Sequence, residues 1–115
     1  MKLVNRKTFM SLPAGTLYSE YMPCLFGALH IKEETLKDPQ SGADVGWYAT
    51  PVGSAFDVEN EIDFLADHFH VGVSAPLSFE QPAPAADFDD SALYAVWERA
   101  DVRAFVTRLF AGPYA

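Results

Sequence analysis

Residues 38 to 98 contain neither lysine nor arginine, and the chain holds a single cysteine, Cys24. One cysteine excludes an internal disulfide framework and leaves no thiolate cluster for a structural zinc site, so a reducing compartment is expected. No apolar run approaches the about 18 residues that cross a bilayer, and none of signal-peptide length follows Met1-Lys2-Leu3-Val4-Asn5-Arg6-Lys7; a cytoplasmic protein with no membrane partner is expected. The seven glycines are scattered and form neither a G-x-G-x-x-G nor a P-loop fingerprint. Ser54, Ser74 and Ser78 lack a nucleophile elbow, and Cys24 follows Pro23 without local activation, so no enzyme is expected.

Against these absences, half of the 115 residues are apolar and 14% are aromatic, with nine Phe and five Tyr. That is enough to bury a core without staples, and residues 1–115 are expected to form one domain. The net charge is −8, and direct DNA binding is not expected of it. The segment without cations carries Asp38, Asp44, Asp57, Glu59, Glu61, Asp63, Asp67, Glu80, Asp87, Asp89, Asp90 and Glu98, whereas the two ends have a cationic excess. Such polarity suits either an acidic surface that maintains solubility or a basic partner.

Along the chain, Asn5 is placed to cap a short helix through Leu12, ended by Pro13 and Gly15. Strand chemistry follows in Thr16–Tyr21 and Leu25–Lys32, broken at Pro23-Cys24; as a hairpin these put Leu25, Gly27, Leu29 and Ile31 on a face expected to be buried. Val45–Thr50 reads as a third strand. Val58, Ile62, Leu65 and Phe69 make a helical stripe, with Asp57 as its cap and Gly72 at its exit. Pro76–Glu80 reads as a short strand, and the Pro/Ala-rich stretch at about 81–91 as an exposed, mobile loop. Leu93–Trp97 reads as the last strand. After it, Val102, Phe105, Val106, Leu109 and Phe110 form a helical stripe expected to pack on the sheet, with Asp101 as cap and Gly112-Pro113 as stop. The expected fold is α+β: an antiparallel sheet of about four to five strands, two main helices and a short N-terminal helix.

His68-x-His70, with His30 elsewhere, does not complete a metal ligand set, since residues two apart diverge on a helix. Asp87-Phe88-Asp89-Asp90-Ser91 opens like a calcium loop ending at Glu98, yet Ala92 stands where that loop needs glycine. No metal and no cofactor are expected. Aromatic and cationic side chains cluster in the first half: Tyr18, Tyr21, Phe26, Trp47 and Tyr48 on the predicted sheet, near Arg6, Lys7 and Lys32. Such a set suits a nucleotide, with rings stacking on a base and cations meeting phosphate. The same rings equally suit a core beneath two helices, with Tyr18 and Tyr48 the ones expected to be exposed.

The segment Arg6-Lys7-x-Phe9-x-x-Leu12-Pro13-x-Gly15-Thr16-Leu17-Tyr18-x-x-Tyr21-x-Pro23-x-x-Phe26-Gly27-x-Leu29-x-Ile31-Lys32 resembles small accessory proteins of bacteriophages and prophages, as does Ala95-Val96-Trp97-Glu98. The resemblance covers about half of the chain, brings no catalytic motif, and implies residence in a host-cell cytoplasm. Three functions are compatible with it. The one expected first is a sponge that antagonises bacterial defence by sequestering a nucleotide immune signal, with Arg6, Lys7, Tyr18, Tyr21, Lys32, Trp47 and Tyr48 as binding residues and a second subunit available to complete the pocket. The second is an acidic inhibitor that presents residues 57 to 67 and 87 to 90 to a basic host protein. The third is a virion structural or assembly module that uses an exposed apolar patch.

Overall fold

Asn5 caps the first helix, its Oδ1 accepting from the backbone N–H of Thr8 at 2.9 Å. In the computed structural model, which describes residues 1–85 and 89–115, this helix is α1, Arg6–Met10. The strands are β1 (Lys2–Asn5), β2 (Thr16–Met22), β3 (Leu25–Lys37), β4 (Asp44–Pro51), β5 (Ala83–Ala85) and β6 (Leu93–Val96), and the last helix is α3 (Arg99–Phe110). Between β4 and β5, α2 is a single turn, Glu61–Asp63, that runs on into a π-helical turn, Phe64–His68. The architecture is α+β, with one antiparallel sheet in the order β1-β6-β2-β3-β4-β5.

The sheet has six strands where four to five were expected. The additions are its two edges, β1 and β5. β5 lies in the Pro/Ala stretch expected to be a loop: Ala83, Pro84 and Ala85 pair with Ala49, Tyr48 and Trp47. Proline is tolerated there because an edge strand has one side without a ladder partner. Ala86, Asp87 and Phe88, part of that expected loop and of the calcium-like run, lie outside the described residues. Pro76–Glu80 contributes only an isolated bridge between Leu77 and Phe56.

Pairing register divides the sheet into two faces, since directly opposed residues share a face and successive residues alternate. Val96, Tyr18, His30 and Pro51 stand in one row, and Leu3, Ala95, Ser19 and Leu29 in the adjacent row on the other face. α1 covers the first face. Its Phe9 is fully buried, with ring centroids 4.4 Å from Tyr94, 4.5 Å from Tyr18 and 5.0 Å from Trp47. Val4, Met10, Ala49 and Val96 complete this core. The face of β3 expected to be buried is therefore the wrong one: Leu25 and Gly27 are exposed, Leu29 and Ile31 half-buried, and the buried residue is Lys32.

Neither long stripe reaches the core. Val58 precedes α2, whose cap is Asn60, and Ile62 is 80% exposed. The π turn closes with Phe69 N–H donating to Phe64 O at 2.8 Å, an i+5 spacing that gathers Phe64 and Phe69 around Phe56 in a separate aromatic cluster. α3, expected to lie on the sheet, has no buried residue.

Candidate functional site

Two surfaces are built from sequence that the fold leaves uncovered. The first is the sheet face opposite α1. Leu17, Ile31 and Thr50 are opposed across β2, β3 and β4, and Leu29, Ser19, Ala95 and Leu3 across β3, β2, β6 and β1. Among the described residues no helix packs along this face. Leu3 and Phe26 are exposed, Leu17, Leu29, Ile31 and Tyr48 half-buried, and the small residues between them, Ser19, Thr50 and Ala95, buried. A shallow groove of about 280 Å³ runs between Met1, Leu3, Tyr21, Phe26 and Ala95.

The second surface is α3. Its root is held firmly: Glu98 and Asp101 form a reciprocal capping box, the Met1 amino group donates to Asp101 and lies 3.3 Å from Glu98, and Trp97 N–H donates to Leu17 O at 2.9 Å. The hydrogen bond from the Met1 amine holds the Asp101 carboxyl below its usual range. Beyond the root, Val102, Phe105, Val106, Leu109 and Phe110 are all exposed; Phe105, 49% exposed, touches only the Trp97 edge among the ring contacts, and Phe110 is 61% exposed. Arg99, Arg103 and Arg108 make this helix cationic on an acidic chain.

The residues expected to bind a nucleotide do not form one pocket. Tyr18 and Trp47 are in the core, 2% and 0% exposed, with the Trp47 indole N–H donating to the Tyr18 hydroxyl at 3.0 Å. Tyr18, expected to be exposed, is covered by α1, and burial pushes its phenol up to about 12. Lys32, 1% exposed, donates from its Nζ to Leu12 O (2.9 Å), Glu33 O (3.2 Å) and Thr35 Oγ1 (2.7 Å), with the charge of Asp44 as a secondary influence. Thr35 Oγ1 donates in turn to Met10 O at 2.8 Å, so this ammonium ties β3 to the end of α1 rather than meeting a ligand. Burial lowers its pKa.

The other four are dispersed. Arg6 Nη2 donates to Val45 O at 3.2 Å and its Nη1 is 3.7 Å from Asp90, while Lys7 is exposed beside it. Tyr21 and Tyr48 lie on the open face, Tyr21 accepting from Cys24 N–H at 3.2 Å and meeting Phe26 edge-on at 5.2 Å. Asp57, Glu59, Asp63 and Asp67 are exposed acids around α2. Among the described residues no group of three or more His, Cys, Asp or Glu side chains is gathered as metal ligands, and no helix is long and apolar enough to cross a membrane.

No family model, curated protein or solved structure matches this chain. The open face and α3 are therefore read from their own chemistry. The α3 stripe is visible in its periodicity but was expected in the core, and Phe26 stood out only as one of the sheet's aromatic rings; for Leu3 the pattern gave no signal, because period-two apolar residues do not say which face a helix will cover.

Proposed function

We propose that this chain is a non-catalytic assembly module that acts through an apolar protein-binding surface. The observation that carries the proposal is α3: a capped, periodic helix whose entire apolar stripe lies outside the core. Soluble monomers rarely leave contiguous apolar surface beyond a few hundred Å² uncovered, and amphipathic helices recognise grooves and sheets through i, i+3, i+4 and i+7 anchors. Of the three functions compatible with a phage accessory protein, this is the one that uses what the fold leaves exposed. The nucleotide sponge loses Tyr18, Lys32 and Trp47, which are spent on the core.

A second reading, the acidic inhibitor of a basic host protein, is favoured by the exposed Asp57, Glu59, Asp63 and Asp67 around α2. Its complex would weaken steeply with salt, whereas an apolar contact would not.

The test pairs two measurements on the purified protein. A thermal-shift panel of mono-, di- and cyclic oligonucleotides and ADP-ribose derivatives is expected to leave the midpoint unchanged, and Leu109→Glu with Phe110→Glu is expected to leave the urea midpoint of the dilute protein unchanged. A nucleotide that raises the melting midpoint by several degrees would return the sponge to first place. Unfolding of the dilute protein by the α3 substitutions would show that the stripe belongs to a core and overturn the proposal.

A further inference from the structure

Resting on that reading of α3, we infer that its partner is a second copy of this chain: the stripe of one protomer lies on the open sheet face of the other, reciprocally about a twofold axis. The exposed area is larger than a monomer's. A monomeric protein of 12.7 kDa is expected to expose about 6,200 Å², and this chain exposes 8165 Å². The excess is about 1,900 Å² per protomer, shared with the segment around Ile62 and Val71; a pair that covered half of it would bury about 1,900 Å² in all, the size of a stable interface. The radius of gyration agrees: 16.4 Å against about 13 Å for a compact domain of this length.

Complementarity within one sequence points the same way. The fold leaves one largely apolar sheet face without a helix and one apolar helix without a face. α3 is about 18 Å long by its residue count, the span of a five- to six-residue strand, so it fits along β2 and β3 over Leu17, Leu29 and Ile31. It cannot cover that face in its own protomer while its root is held by the Glu98–Asp101 box, the Met1 amine and the Trp97 bond to Leu17. Exchange between copies satisfies both surfaces at once, and an isologous contact closes at two copies. Charge favours the same partner: α3 brings Arg99, Arg103 and Arg108 to a body whose residues 38 to 98 carry twelve acids and no lysine or arginine.

The experiment is sedimentation equilibrium of the full chain over about a hundredfold range of concentration, with mass action setting the dimer fraction. Wild type is expected at twice the chain mass; Leu109→Glu with Phe110→Glu, and separately Ile31→Lys, are expected at the chain mass with unchanged far-ultraviolet circular dichroism. In a Cys24→Ser background, protein carrying only Leu109→Cys is mixed with protein carrying only Leu29→Cys; oxidation is expected to link the two species to each other. Wild type at the chain mass throughout overturns the dimer. If that monomer binds an anilinonaphthalene sulfonate dye and the α3 substitutions abolish the binding, the protein-binding surface stands and its partner is another molecule. If it binds no dye and the substitutions unfold it, both inferences fall. A dimer that survives the substitutions, or that fails to cross-link between helix and sheet cysteines, overturns the helix-on-sheet exchange.

Discussion

The Trp47 indole N–H donates to the Tyr18 hydroxyl at 3.0 Å, and Phe9 of α1 closes over both rings. A buried indole donor needs an acceptor, and burial keeps the phenol neutral against the opposing effect of that hydrogen bond. Two residues that read from sequence as a stacking platform are thus the polar centre of the core. Tyr18→Phe leaves the Trp47 donor without its partner and is expected to cost about 1–3 kcal/mol near neutral pH, measured by urea unfolding.

The same residue sets an alkaline limit. Its phenol titrates near about 12 in the folded chain and near about 10 when unfolded. Below pH of about 10 both states hold the proton and the contribution is complete; above it the unfolded chain releases the proton first, and stability falls as pH rises towards the folded value. The urea midpoint of wild type is expected to drop more steeply than that of Tyr18→Phe across this window. Equal slopes would show that the phenol is not confined.

Lys32 works in the opposite sense. Burial lowers its pKa, so the folded chain gives up this proton before the unfolded chain does, and stability rises as pH climbs from the lowered value to the ordinary one of 10.5. Lys32→Met keeps the stem and removes the charge. It leaves Leu12 O without the bond at 2.9 Å and is expected to cost about 1–3 kcal/mol near neutrality, while removing the alkaline gain. A variant as stable as wild type, with the same pH profile, would show that the ammonium contributes nothing to holding α1.

What sequence could reveal followed from local chemistry. The Asn5 cap, the break at Pro23-Cys24 and the β2, β3, β4 and β6 runs depend on neighbours in the chain, and they were legible. Lys32 was not, because a lysine in a period-two pattern marks the solvent face unless main-chain carbonyls from a distant turn receive it. β5 was hidden by Pro84, since only the pairing with Tyr48 shows that this proline occupies an edge. The α3 stripe was visible as a period, but a period names the face of a helix and not what covers it. The expected nucleotide set failed for the same reason: Trp47 and Tyr48 are adjacent in sequence and face opposite sides of the sheet.

Cys24 occupies the second position of the two-residue turn that joins Met22 to Leu25, with φ of 65°. A side chain is strained in this left-handed region and glycine is not. Cys24→Gly is expected to gain about 0.5–1 kcal/mol, relief of strain being partly offset by the freer unfolded chain. Cys24→Val, branched at Cβ, should lose stability in the same assay. Equal midpoints for the two variants would contradict strain at this turn.

The root of α3 supports the last prediction. Asp101 accepts from Glu98 N–H at 2.8 Å and from the Met1 amine, while Glu98 caps the helix in return. Because α3 has no buried residue and its one ring contact among the described residues is Phe105 with Trp97, this box is a main support of the helix within one chain. Asp101→Ala is expected to speed amide exchange severalfold along residues 99–110 of the dilute protein, leaving β2 and β3 protected. Acid should act likewise: the Asp101 carboxyl titrates below 3.8 when folded, so its contribution is present above that value and is lost as pH falls through the folded one. In the reciprocal dimer, partner contacts along Val106 and Leu109 would restore protection, so the Asp101→Ala effect should shrink as concentration rises. Protection of α3 that is insensitive both to Asp101→Ala and to dilution would mean that something within the same chain holds the helix.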